Sequence, residues 1–148
     1  MIFCDSSFLA SLFVERDRLH GPACRIAQKL TGPMPYTLLG ELELLNALNR
    51  GLGEKALDPS SYDAVLRKIA DDEAEGFLRR YAINQIRHFE KARQLSKRFT
   101  GQLFCRTLDV VQVAAAMVLG ADTFVTFDAK QAKLASAAGL KVIPHQKI

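Results

Sequence analysis

The sequence carries only three cysteines, Cys4, Cys24 and Cys105, an odd and widely spaced set with no CxxC pair. That excludes a disulfide framework and a structural zinc site, and it points to thiols kept in a reducing compartment. No apolar run approaches the roughly 18 residues that a membrane span requires. The opening MIFCDSS has no basic stretch and meets an aspartate at position 5, so no secretory leader is expected. A soluble, cytoplasmic protein without membrane association is the expectation. Low-complexity tracts, internal repeats and domain linkers are missing as well. No GxxxxGK[ST] or GxGxxG loop occurs, which removes the common nucleotide-binding signatures, and no serine sits in a GxSxG elbow. The three histidines, His20, His88 and His145, match no metal or triad spacing and read as structural.

What is present is an ordinary globular composition, 49% hydrophobic and 24% charged, in a chain of 148 residues that fits one domain. Strand and helix signals alternate. MIFCD is a short apolar strand ending in an acid, followed by a helix from Ser6 or Ser7 and a second helix over 19–30. MPYT is strand-like. Thr37 can cap the Leu-rich helix LLGELELLNALNR, which ends at Gly51. Asp58-Pro59 opens a helix to about Ala74, Gly76 separates it from the strand FLRRYA, and an amphipathic helix spans 82–99, closed by Gly101. Thr107 opens a very apolar helix to Leu119, TFVTF is a buried strand, Asp128 caps AKQAKLASAA, and LKVI is a last strand. The pattern implies an α/β fold over residues 1–148, with a parallel central sheet of about five strands flanked by helices.

Charge is unevenly placed. Residues 79–106 hold eight basic side chains against one acid, a local +7, while the rest of the chain is at −3. Such a division suits a polyanion-binding face next to an acidic cation site, although a solvated helix face has the same signature. On a wheel of the 82–99 helix, Ile83, Ile86, Phe89, Ala92, Leu95 and Phe99 form the packed part. Arg87, Lys91 and Arg98 fall in one stripe about 40° wide. These three are the candidates for contact with a polyanion backbone, since Lys and Arg supply most non-specific nucleic-acid affinity.

Four acids stand out. Ligands of open parallel sheets bind beyond the strand carboxyl ends, where Asp5 follows MIFC and Asp128 follows TFVTF. Either could be a mere helix cap. Asp109 opens the apolar helix TLDVVQVAAAMVLG, which has no other charge and must be central. The fourth is Glu41 or Glu43, which point to nearly opposite sides of their helix, and the wheel does not choose between them. Carboxylates that gather at one cleft repel one another unless a cation neutralises them, and an all-oxygen set selects a hard ion, Mg²⁺ or Mn²⁺.

These residues resemble the PIN domains, and within them the VapC-type toxins of bacterial toxin–antitoxin pairs. The marks run in order along nearly the whole chain: Asp5-Ser6-Ser7 after a strand; Leu42-Glu43-Leu44 with Asn46-Ala47-Leu48; Arg106-Thr107-Leu108-Asp109 leading into Val113-Ala114-Ala115-Ala116; and Gly120-Ala121-Asp122 before Phe124-Val125-Thr126-Phe127-Asp128, with Gln131 and Leu134-Ala135. The resemblance selects Glu43 over Glu41. It implies an endoribonuclease dependent on Mg²⁺ or Mn²⁺, with Asp5, Glu43, Asp109 and Asp128 as catalytic and metal-holding acids. Thr126 corresponds to their accompanying hydroxyl, and Ser6 to a residue that orders the first aspartate. It further implies an RNA substrate, a cognate antitoxin protein and a homodimer. One departure is Gln112, where relatives often have histidine. The rival readings are a PIN-domain RNA-processing nuclease without antitoxin and a non-catalytic nucleic-acid-binding regulator of the same fold.

Overall fold

The computed structural model describes residues 1–144, so His145 lies outside the described residues. In chain order, β1 (Ile2–Cys4) leads into α1 (Ser6–Phe13), α2 (His20–Ala27), β2 (Met34–Tyr36), α3 (Leu38–Gly53), α4 (Pro59–Ala74) and β3 (Leu78–Arg80). Then come α5 (Gln85–Leu95), a π-helical stretch (Ser96–Thr100), the single turn α6 (Gly101–Leu103), α7 (Thr107–Val118), β4 (Thr123–Val125), α8 (Ala129–Ala137) and β5 (Lys141–Ile143). Among the described residues no helix is long and apolar enough to cross a membrane. The chain forms two compact units, Met1–Asp5 with the segment from Ala82 onward, and Ser6–Tyr81.

The first unit is organised by a parallel sheet in the order β1-β4-β5. Its register sets Phe3 beside Phe124, and their fully buried rings stack 5.7 Å apart. Burying such a side chain contributes about 1.5–3 kcal/mol. Every residue of α7 from Asp109 to Ala116 is buried, as expected of an apolar helix whose three alanines let neighbours approach closely. Gly120 follows with φ +77°, a left-handed turn that a β-carbon would strain. α5 packs on α7 through His88, Ala92 and Leu95, a stripe at i, i+4 and i+7. The His88 ring is buried there, with Nε2 2.8 Å from the Val111 carbonyl oxygen.

The second unit holds the parallel pair β2-β3, with Tyr36 in register with Arg80. The predicted caps form. Thr37 Oγ1 accepts from Gly40 N–H at 3.3 Å, and Asp58 Oδ1 accepts from Ser61 N–H at 2.9 Å ahead of Pro59. Phe8, Leu9 and Phe13 of α1 are buried, as are Leu44 and Leu48 one helical turn apart on α3. A cavity of about 660 Å³ opens here, lined by residues that include Phe13, His20, Cys24, Val65 and Phe77.

The α/β class and the parallel sense of all five strands agree with the sequence pattern. The strands hydrogen-bond as a three-stranded and a two-stranded sheet, because each is only three residues long and MPY finds its partner in LRR. Three local expectations give way. α3 runs through Gly51 to Gly53; Gly51 O accepts from Leu57 N–H at 3.0 Å, and the left-handed residue is Lys55 at φ 59°. Gly101 does not close the basic helix, which winds through the π-helical stretch and ends at Phe104, φ 52°. Ile86 and Phe89, assigned to the packed face, are exposed, because the buried stripe at His88, Ala92 and Leu95 turns them away.

Candidate active site

The site begins where β1 and β4 end. Asp5 N–H extends the ladder by donating to Val125 O at 3.1 Å, and the Asp5 side chain is fully buried. Thr126, also fully buried, continues the ladder on the other side of β4 by donating its N–H to Ile143 O at 3.0 Å. Its hydroxyl donates to Asp5 Oδ2 at 2.7 Å and accepts from Asp128 N–H at 2.9 Å. A threonine hydroxyl has one proton, so this arrangement fixes its direction: Asp128 N–H to Thr126 Oγ1–H to Asp5 Oδ2.

Asp128 is the N-cap of α8, with Oδ1 accepting from Lys130 N–H at 2.7 Å and Gln131 N–H at 3.0 Å. The capping reading of this acid is therefore met, and it occupies only one of the two oxygens. Oδ2 lies 3.5 Å from Arg106 Nη2. Asp109, 3% exposed, sits in the first turn of α7 and accepts from Arg106 N–H at 2.8 Å, while Arg106 Nε lies 3.5 Å from the same Oδ2. One guanidinium thus bridges Asp109 and Asp128. Both contacts are longer than the roughly 2.7–2.9 Å of a tight charge-assisted bond. The bridge is loose.

In the second unit the two acids left open by helical periodicity have different partners. Glu41 pairs with Arg80 Nη2 at 2.8 Å; the same guanidinium reaches Glu73 at 3.4 Å and lies over the Tyr36 ring. Tyr36 donates to Glu73, and burial together with that bond pushes its phenol up to about 12. Glu43 accepts from the Ser6 hydroxyl at 3.1 Å, and Ser6 follows Asp5 in the chain.

Of the basic candidates, Arg87 and Arg98 are exposed and Lys91 is half-buried. Arg98 lies in the π-helical stretch, stacked 5.0 Å from the Phe99 ring. The wider turn there breaks the uniform 100° step that put it in one stripe with Arg87 and Lys91. Gln112 is fully buried on α7. Asp122 accepts from the Thr123 hydroxyl at 2.6 Å and pairs with the Met1 ammonium, which keep its carboxyl below the usual range. Burial, and then the negative charge of Asp5, hold the Cys4 thiol far above its ordinary pKa.

Among the described residues no three acid, histidine or cysteine side chains stand together as a ready metal site. The donor chemistry nevertheless fits a hard divalent cation, since carboxylate and hydroxyl oxygens alone are present. Asp109 and Asp128 each turn Oδ2 toward a single positive group, the place a cation would take. Arg106 is the site contact to which the sequence reading gave no role, although it stands in the third family mark. It was counted among the basic residues of 79–106, but an arginine three positions before a first-turn acid was itself the signal, because a helix N-cap stands beside the N3 side chain.

No curated protein shows a significant match to this chain. Solved structures do. VapC20 of Mycobacterium tuberculosis, a sarcin-ricin loop cleaving toxin, shares the fold with a TM-score of 0.70 at 23% identity, over 95% of this chain and 96% of that one. VapBC-1 from nontypeable Haemophilus influenzae does so with a TM-score of 0.55 at 18% identity, over 96% of each chain. The PIN domain family matches residues 2–137, a span that contains all four strand-end and helix acids, and the chain belongs to that family.

Proposed function

We propose that this protein is a Mg²⁺- or Mn²⁺-dependent endoribonuclease, the toxin of a VapBC-like toxin–antitoxin pair, which hydrolyses RNA phosphodiester bonds. The observation that carries the reading is the hydroxyl relay from Asp128 N–H through Thr126 to Asp5. It ties a fully buried carboxylate to the backbone of a helix-capping aspartate at the carboxyl ends of a parallel sheet, where such folds bind ligands. A buried carboxylate is stable only when charge and hydrogen bonds answer it, and a cation does so at an acid cluster.

In this reading Asp5, Asp109 and Asp128 hold the ion, with Glu43 as the fourth donor. A bound divalent ion would supply an activated water and offset the charge that develops on the phosphate. Thr126 fixes the Asp5 carboxylate, Ser6 orients Glu43, and the cap at Lys130 and Gln131 fixes Asp128 so that Oδ2 faces outward to Arg106. Arg87, Lys91 and Arg98 neutralise phosphates of the RNA. The match of one family domain to residues 2–137 supports treating the whole chain as one nuclease domain. The likeness to VapBC-1 supports a cognate antitoxin as partner, and a homodimer is part of the same proposal.

The test is RNA cleavage by purified Asp5→Asn and Asp109→Asn proteins in Mg²⁺ or Mn²⁺, with a folded far-UV spectrum as control. Loss of cleavage in both supports the reading. Cleavage at the parent rate in Asp109→Asn, with contaminating nuclease excluded, overturns it. Growth arrest on expression, relieved by a co-expressed partner encoded beside it, distinguishes a toxin from an RNA-processing nuclease.

A further inference from the structure

Arg106 is placed to do more than cap a helix. Its backbone N–H donates to Asp109 Oδ2 at 2.8 Å with an extended N-cap conformation, φ −81° and ψ 159°, so its Cα is fixed whatever its side chain does. The side chain is 68% exposed, and its two contacts to carboxylates are both 3.5 Å. One contact falls on the oxygen that the α8 cap leaves aside, since Asp128 Oδ1 is used by Lys130 and Gln131 and Oδ2 faces the guanidinium. The other falls on Asp109 Oδ2, which also accepts the Arg106 N–H. The result is an anchored backbone, a long exposed arm, and a positive head resting loosely between two acids.

We infer that Arg106 is an exchangeable internal cation: it balances Asp109 and Asp128 while no divalent ion is bound, and is released to an RNA phosphate when one is. The inference rests on the metal-nuclease reading above and assigns Arg106 as a substrate-contacting residue within it. Two positive charges cannot share the Oδ2 oxygens, so the guanidinium gives way to the more highly charged ion. The arm then projects beside the acids with its planar set of donors unengaged, a geometry that matches a phosphate in a two-point contact. Metal and RNA binding are therefore coupled through one side chain. A fixed arginine that only stabilised the start of α7 would give no such coupling.

The experiment uses the full chain, Arg106→Met and Arg106→Lys, with Mn²⁺ affinity read by calorimetry. RNA affinity is read with a short phosphorothioate-linked RNA, resistant to hydrolysis, in Mn²⁺ and in EDTA. Thermal melts check that each variant folds; Arg106→Met keeps the backbone N–H that starts the helix. Arg106→Met should bind Mn²⁺ about two- to fivefold more tightly, the range of an exposed ion pair removed. It should bind the RNA about tenfold more weakly in Mn²⁺ yet within about twofold of wild type in EDTA, where Arg106 is occupied by the acids. Arg106→Lys keeps the charge without the two-point geometry and should recover only part of the Mn²⁺-dependent RNA affinity. An equal loss of RNA affinity in Mn²⁺ and in EDTA, or none in either, overturns the exchange and leaves the metal reading standing. A wild-type protein that takes up no Mn²⁺ overturns the metal reading itself, and the exchange with it.

Discussion

The two units of this molecule answer several of their acids in different ways. In Ser6–Tyr81 three acids are answered by committed cations, buried Asp72 by Lys68 one turn away and half-buried Glu41 and Glu73 by the shared Arg80, while Glu43 accepts from the Ser6 hydroxyl. In the unit that holds β1 and the chain from Ala82, Asp5 is answered by a hydroxyl, Asp109 by a backbone N–H, and both Asp109 and Asp128 by a guanidinium at arm's length. Closed ion pairs stabilise a fold and do nothing further. A guanidinium at 3.5 Å leaves the charge of Asp109 and Asp128 available to a closer cation.

Breaking the comparison at its most consequential point gives the largest effect. Asp5→Asn and Asp109→Asn should each lower RNA cleavage by at least about a hundredfold. Glu41→Gln, which removes a committed ion pair, should leave it within about twofold. Initial rates on one RNA in Mg²⁺ or Mn²⁺ separate the two classes. If Glu41→Gln is as inactive as Asp109→Asn, the division of roles between the units is wrong.

The next effect is on stability. Thr126→Val removes the hydroxyl between Asp128 and Asp5 and should cost about 1–3 kcal/mol in denaturant unfolding, because the buried Asp5 carboxylate and the part-buried Asp128 N–H lose their shared partner. Thr126→Ser restores the hydroxyl and should recover most of that loss. A valine variant as stable as wild type would mean that the relay contributes nothing to the fold.

Tyr36 sharpens the contrast from the other unit. Its pKa is raised to about 12 by burial first and the Glu73 bond second, against an ordinary value near 10. Between those values the folded state retains a proton that the unfolded state has lost. The Tyr36 contribution is therefore complete below pH 10 and lost as pH rises from about 10 to about 12. Tyr36→Phe should lower stability by about 1 kcal/mol at neutral pH and flatten the pH dependence of unfolding in that alkaline window. An unchanged slope there would show that Tyr36 does not titrate with folding.

The smallest effect is chemical. Cys4 and Cys105 are buried and Cys24 is half-exposed. Native protein should accept one alkylating label per chain, at Cys24, and three after unfolding, counted by intact mass. Early labelling of Cys4 would mean that the β1 end opens far more readily than its burial implies.

Much of this was legible in the residues. Thr37 and Asp58 as caps, Gly120 at the end of an apolar helix, and the strand-ending acids Asp5 and Asp128 were all written locally, because caps and left-handed turns depend on a few adjacent residues. Helical periodicity failed at Ile86 and Phe89, where two exposed apolar side chains imitate a packed stripe, and at Arg98, where a π-helical stretch changes the angular step. Nor could a wheel separate Glu41 from Glu43. Their difference lies in Arg80 and Ser6, both more than thirty residues away.

By itself, then, the sequence determined the order of strands and helices, their caps, and which acids stand at strand ends, since hydrophobic period and capping act over a turn or two. The tertiary structure alone decided that Thr126, 121 residues from Asp5, would donate to it, and that one arginine would bridge Asp109 and Asp128. Side-chain hydrogen bonds and ion pairs act over about 3 Å in space, and only the folded backbone sets which distant residues come that close.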